Sequence, residues 1–289
     1  PVEMMLPPEA TEKQVEALRH HLGLDKPFHV QYYSFLKNAL RGDLGKSFVF
    51  NKPAVGLIVE RIPATLELAV SAMVLAVIIG IPAGMFAAIR PGSWLSKSIM
   101  TGSLLGISLP VFWLGIILVL VFSVILGWLP SSGRGETALL AGIRFGFLTK
   151  NGFLHLILPS TTIAIFQLAL IIRLVRAGMM EVMLQDFIKF LKAKGLSERR
   201  VVFVHAMKNI LIPVVTIVGL QLGNIIAFAI VTETIFAWPG MGKLVIDSIH
   251  GLVRPVVLAY LLIVSLMFVL LNFLVDVVYT FLDPRIRLR

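Results

Sequence analysis

LELAVSAMVLAVIIGIPAGMFAAI, residues 66–89, holds a single ionisable side chain, Glu67. A helix needs roughly 20 apolar residues to cross a hydrocarbon core about 30 Å thick, and this run exceeds that length. Four similar runs follow, at residues 99–129, 154–174, 210–236 and 256–282. A strand of a membrane barrel would be about 10 residues of alternating polarity, whereas these runs are continuous, so all five read as transmembrane helices of an all-α polytopic membrane protein. Pro82 and Pro110 fall inside runs, and Pro110 allows a break in the second. Composition agrees: hydrophobic residues are 57% and charged residues 15% of 289, against about 45–50% and 25% in soluble domains. Mean hydropathy is +0.91.

The net charge of +10 would raise nucleic acid as a partner of a soluble chain. Here the basic residues sort by membrane side, and no nucleic-acid partner is expected. One set of alternate loops holds Arg90 and Lys97, the basic cluster from Arg173 to Lys208, and Arg285, Arg287 and Arg289. The opposite short loops hold fewer: Arg134, Arg144, Lys150, Lys243 and Arg254. The richer side faces the cytoplasm by the positive-inside rule. Residues 1–61 then form an external segment, and residues 62–289 the transmembrane domain. A chain starting outside implies an upstream helix ahead of Pro1, making six spans. Within the external segment Thr11 and Gln14 make a capping box; Val15, Leu18 and Leu22 form one apolar face, stopped by Gly23. A second helix after Pro27 runs through Val30, Tyr33, Leu36 and Leu40 to Gly42. These two short amphipathic helices read as a packed outer cap, with direct partner binding as the alternative.

Enzymatic motifs fail. Gly45, Lys46 and Ser47 lack the earlier glycine of a phosphate loop, since Leu40 occupies its place. There is no cysteine, and the six histidines show no metal-ligand spacing. No catalytic constellation can be assembled, so neither a cofactor nor a metal site is expected in this chain.

Residues 176–209 are too charged to enter a bilayer yet strongly patterned. Met179, Val182, Met183, Phe187, Phe190 and Leu191 fall at helical spacing; Gly195 ends that helix and Ser197–Glu198 starts the next. A basic elbow with an apolar stripe suits anionic lipid, plain packing, or the cleft of a cytoplasmic partner.

The run QDFIKFLKAKGLSERRVVFVHAMKNILIP, residues 185–213, resembles the cytoplasmic loop of dipeptide and oligopeptide ATP-binding-cassette (ABC) importer permeases. Further similarity lies in LGLDKPFHVQY (22–32), RGDLGKS (41–47), ERIPATLELA (60–69), LPVFWLG (109–115), ETIFAWPGMGKL (233–244) and LDPRIR (282–287). The likeness covers the whole chain apart from the family's first helix. It implies the type I ABC importer permease fold, a second homologous permease, two ATPase subunits that bind ATP and magnesium, and an external binding protein delivering peptide. It also implies that the loop docks in an ATPase groove, with Asp186, Phe187, Lys189, Ala193, Lys194, Gly195 and Leu196 at the interface. Phe190 and Leu191 depart from the family pattern, where threonine and alanine are usual.

Ionisable residues in or beside spans are costly, so Glu67, Arg173, Glu233 and Asp276 are candidates for the pathway or for structural pairing. Gln221 and Asn224 suit a polar pathway or an interhelical hydrogen bond. Gly80 with Gly84, Gly102 with Gly106, and Gly219 with Gly223 have the spacing of close helix crossings. Trp128 and Trp238 fit interfacial belts. The rival to an importer permease is an ion-gradient-driven secondary transporter, which should show internal repeats with matching broken helices; no convincing repeat is present.

Overall fold

The computed structural model describes residues 11–21 and 25–282. Two short helices come first, α1 (Glu12–His21) and α2 (Phe28–Ala39), then a small hairpin of β1 (Lys46–Ser47) and β2 (Lys52–Pro53). The Thr11 backbone N–H donates to Gln14 Oε1 at 2.9 Å, as a capping box should. Leu22, Gly23 and the side chains of Val15 and Leu18 lie outside the described residues, as do Arg285, Arg287 and Arg289. The packed cap expected of the second helix is not found. α2 buries no residue, with Tyr33, Leu36 and Leu40 all exposed.

The spans follow. α3 (Ala54–Ile89) begins well before residue 66 and runs through the boundary placed at 61/62, because Pro53 sits at its N-cap and residues 54–59 add an apolar turn and a half ahead of Glu60 and Arg61. The second span is broken: α4 (Trp94–Ser108) and α5 (Val111–Leu118) meet at 108° about Leu109–Pro110, and α5 continues into a π-helical turn, Val119–Ile125. Pro110 supplies no N–H to the preceding turn and pushes Leu109 out of helical geometry (φ −87°, ψ 132°). A hairpin of β3 (Ala138–Leu140) and β4 (Ile143–Phe145) leads to α6 (Lys150–Met183), capped by Thr149, whose hydroxyl accepts from Gly152 N–H at 2.9 Å. Beyond it come α7 (Asp186–Ala193), then α8 (Glu198–Arg200), a π-helical turn (Val201–Ala206) and α9 (Met207–Phe228) as one continuous span. α10 (Ile230–Ile235), α11 (Met241–His250) and α12 (Arg254–Leu282) are the last of the described elements. Among the described residues, by length and composition, four helices can cross a membrane, or five with the bent pair as one.

Lipid tails give apolar side chains no reason to leave them, so these helices associate through close packing. The most extensive contact is α3 with α6. Gly80 and Gly84 make it possible: a Cβ on Gly84 would stand 2.8 Å from both the Ile172 carbonyl oxygen and Val175 Cβ, and one on Gly80 would stand 3.0 Å from Ile171 Cγ2. Gly219 and Gly223 do the same for α9 against Val275 and Phe268 of α12. The third pair works at one position, since Gly106 abuts Ile165 while Gly102 has open space. Large apolar side chains cover the outside, among them Ile78, Leu266, Val269 and Phe273.

Gly84→Ala should lower stability by about 1–3 kcal/mol through overpacking against backbone, read as a drop in thermal unfolding midpoint in detergent. Gly102→Ala, made in parallel, should be neutral or slightly stabilising.

Candidate coupling elbow and pathway recess

α6 does not run through to Gly195 as one helix. It stops at Leu184, Gln185 is extended (φ −70°, ψ 149°), and α7 begins at Asp186 as a separate short helix. At its far end Leu196 N–H donates to Leu191 C=O (3.3 Å) and Gly195 N–H to Lys192 C=O (2.9 Å). With Gly195 at φ +78° this is a Schellman cap, which only a residue tolerant of left-handed geometry closes without strain. α7 is two-faced. Ile188 is buried, and Phe187, Leu191 and Leu196 pack against the core. Asp186, Lys189, Ala193, Lys194 and Gly195 are exposed. Phe187 and Leu196 therefore support the elbow from beneath and contribute little surface. Phe190, which departed from the family pattern, is 59% exposed. Lys194 Nζ lies 4.7 Å from its ring centroid, and Lys189 pairs with Asp186 at 2.8 Å. The exposed face thus presents an aromatic ring between cations.

Glu67 and Glu233 are buried and held by hydrogen bonds within the protein. The Glu67 carboxylate accepts from Arg134 Nε at 2.8 Å and Nη2 at 2.5 Å, and from the N–H groups of Gly146 and Phe147 at 2.7 and 2.8 Å. Four charge-assisted bonds offset its burial and fasten the β3–β4 hairpin to α3. Glu233 accepts from Thr65 Oγ1 at 2.6 Å and Lys243 N–H at 2.9 Å. Thr65 Oγ1 in turn accepts from Met241 N–H at 2.9 Å. Trp238 belongs to this knot and not to an interfacial belt: it is fully buried, its indole N–H donating to Ala64 C=O at 2.8 Å. Gly240 and Gly242 are forced by proximity, because a Cβ on Gly240 would run into the Glu233 carboxylate and one on Gly242 would stand 2.7 Å from Ile230 Cα. Trp128, by contrast, is 66% exposed, and Arg173 and Asp276 are also exposed.

Gln221 and Asn224 do line an open space. A recess of about 400 Å³ is bounded by Val111 at the start of α5, Ile163, Phe166 and Gln167 of α6, Gln221, Asn224, Ile225 and Phe228 of α9, and Ala229 and Thr232. Asn224 Nδ2 donates to Gln221 Oε1 at 3.0 Å. Gln167 is the residue that sequence reading missed: it is buried, and its Oε1 has no partner. A lone glutamine within an apolar helix was the available signal.

Comparison with known proteins fits this architecture. Residues 80–288 match the family described as binding-protein-dependent transport system inner membrane component, and residues 1–69 match the N-terminal region of such membrane components. The di/tripeptide transport system permease protein DppB of Pseudomonas aeruginosa is 43% identical over 99% of this chain and 89% of its own length. The dipeptide permease DppB of Alkalihalophilus pseudofirmus and the glutathione permease GsiC of Escherichia coli K12 are each 39% identical, with coverage of 99% of this chain in both cases. Among solved structures, the inward-facing MetNI methionine ABC transporter superposes with a TM-score of 0.61 at 17% identity, over 78% of this chain and 96% of that one. An amino acid ABC transporter with histidines gives 0.51 at 14%, over 80% and 94%. These likenesses support the type I importer permease fold. The chain belongs to the binding-protein-dependent inner membrane component family. It is an ABC importer permease, an inner membrane component, which sets aside the gradient-driven carrier.

Glu67→Gln should leave Arg134 without its anion and cost about 2–4 kcal/mol. The readout is the thermal midpoint in detergent; Arg134→Ala in the Glu67→Gln background should cost much less than either change alone predicts.

Proposed function

We propose that this chain forms, with a second homologous permease, the pathway for uptake of dipeptides or oligopeptides delivered by an external binding protein. Of the two ATPase subunits, which hold the ATP and magnesium, one docks on the exposed face of α7. This chain carries no cofactor and performs no covalent chemistry. The observation that carries the reading is the linkage of α7 to the recess. Asp186, Lys189, Phe190, Ala193 and Lys194 offer a docking face. Gly195 is the corner, and from Glu198 to Phe228 one unbroken span leads to Gln221 and Asn224 in the recess wall. Movement of α7 with an ATPase groove tilts that span and exposes the recess to one side of the membrane or the other. Relatives named for di- and tripeptides, dipeptides and glutathione, all bearing amide bonds, support a peptide substrate.

Gly195 tests the corner. A β-branched side chain there has room, since a Cβ at this position would have nothing within 4 Å, but it strains the left-handed backbone by about 1–2 kcal/mol. Gly195→Val in the reconstituted importer should lower peptide uptake per ATP hydrolysed, or abolish ATPase co-purification, with membrane insertion intact. Gly195→Asn, which tolerates that geometry, should keep coupling. Unchanged uptake by Gly195→Val would sink the coupling role.

A further inference from the structure

The recess is polar without being charged. Its wall combines three side-chain amides with apolar groups, and none of its lining residues is ionisable. Gln167 is 5% exposed, and its carbonyl oxygen is buried without a donor. Such an orphan costs about 1–3 kcal/mol unless something fills it. Across the space, the Gln221–Asn224 bond uses one N–H and one oxygen of the pair. Whichever way the two amides are turned, one oxygen and one NH₂ group remain free, with no further partner among the described residues. That is the complement of a peptide bond, which presents one N–H and one C=O. The first turn of α5, whose opening N–H groups have no helical acceptor, begins at the same wall with Val111.

Resting on the proposed peptide pathway, we infer that this recess is a transit subsite for the uncharged main chain of the substrate. Gln167 Oε1 accepts from a peptide N–H, and the Gln221–Asn224 pair bonds both sides of a neighbouring peptide bond. A carboxylate or ammonium group lodged there would lack a counter-ion in a low-dielectric site, at a cost of several kcal/mol. The subsite therefore reads amide bonds and leaves the peptide's charged ends and side chains unread. A pathway built this way accepts many sequences and holds none of them tightly.

The test uses the complete importer in vesicles, its binding protein preloaded either with a radiolabelled tripeptide or with the matching depsipeptide, in which an ester oxygen replaces one main-chain N–H. The wild type should carry about five- to tenfold less depsipeptide than peptide per ATP, as loss of one hydrogen bond predicts. Gln167→Leu with Asn224→Leu should lower peptide transport per ATP to the depsipeptide level and erase the discrimination. Asn224→Leu alone, at an exposed position, guards against misfolding and should erase part of it. A photo-reactive phenylalanine at Phe228 should label with peptide during turnover. Equal discrimination in wild type and variants overturns the subsite. So does labelling of the second permease alone, which would make the recess a contact between permeases. Absence of any peptide uptake by the wild type would instead overturn the peptide reading itself, and the subsite with it.

Discussion

Hydrocarbon offers a backbone no hydrogen bonds, so a chain in a bilayer stays helical except where protein or water satisfies the groups that a break releases. The irregular points of this molecule can be understood from that constraint. Among the described residues up to five helical runs can cross, and apart from two π-helical turns, the hairpins and the connecting loops the helices are interrupted at four places: Leu109–Pro110, Leu184–Gln185, Gly195, and the joint at Ala229 between α9 and α10. Two of these border the recess, one through Val111 next to Pro110 and the other through Ala229, where space rather than lipid meets the interrupted backbone. The other two delimit α7 on the surface. Breaks are therefore concentrated where movement or contact is needed, and the rest of each span is left stiff.

Two buried carboxylates fix the opposite end. Glu67 of α3 gathers the β3–β4 hairpin through Arg134 and two backbone N–H groups, and Glu233 of α10 joins Thr65 of α3 to the first turn of α11 at Lys243. An unpaired buried anion would be severely destabilising, so each carboxylate obliges several donors to stay in place. The consequence is asymmetric stiffness. Loops at this end are tied to α3 by charge-assisted bonds, while α7 at the other end is held beneath by apolar contacts of Ile188, Leu191 and Leu196, which permit sliding.

The spans were legible because hydrophobicity over 20 residues is a strong signal, and Gly195 because a left-handed cap nearly demands glycine. Gly80, Gly84, Gly219 and Gly223 were likewise readable from spacing alone. Three things were not. The stop at Leu184–Gln185 has no glycine or proline to mark it, and the helical spacing of apolar residues continues across it. The roles of Glu67 and Glu233 depend on donors as far as 80 and 168 residues away in sequence, Phe147 and Thr65, which no local pattern encodes. Trp238 looks like an interfacial anchor in a linear reading and is instead buried, because the Trp-Pro-Gly-Met-Gly turn folds back against α3. The whole-chain family resemblance recovered function where these local rules could not, since it carries long-range contacts implicitly.

The distribution of charge bears on how the pathway works. Cations and anions cluster at the elbow and at the Glu67 and Glu233 knots, while the recess between them is lined by amides, methyl groups and rings. Strong fixed charges suit places that must hold a geometry. A place that must release its ligand in every cycle is better served by neutral groups, whose hydrogen bonds each contribute only about 0.5–1.5 kcal/mol net and can be exchanged one at a time for water. A permease driven by an external ATPase needs no deep binding well of its own, because direction comes from the conformational change rather than from affinity. The uncharged wall between two charged anchoring zones is the arrangement that division of labour requires.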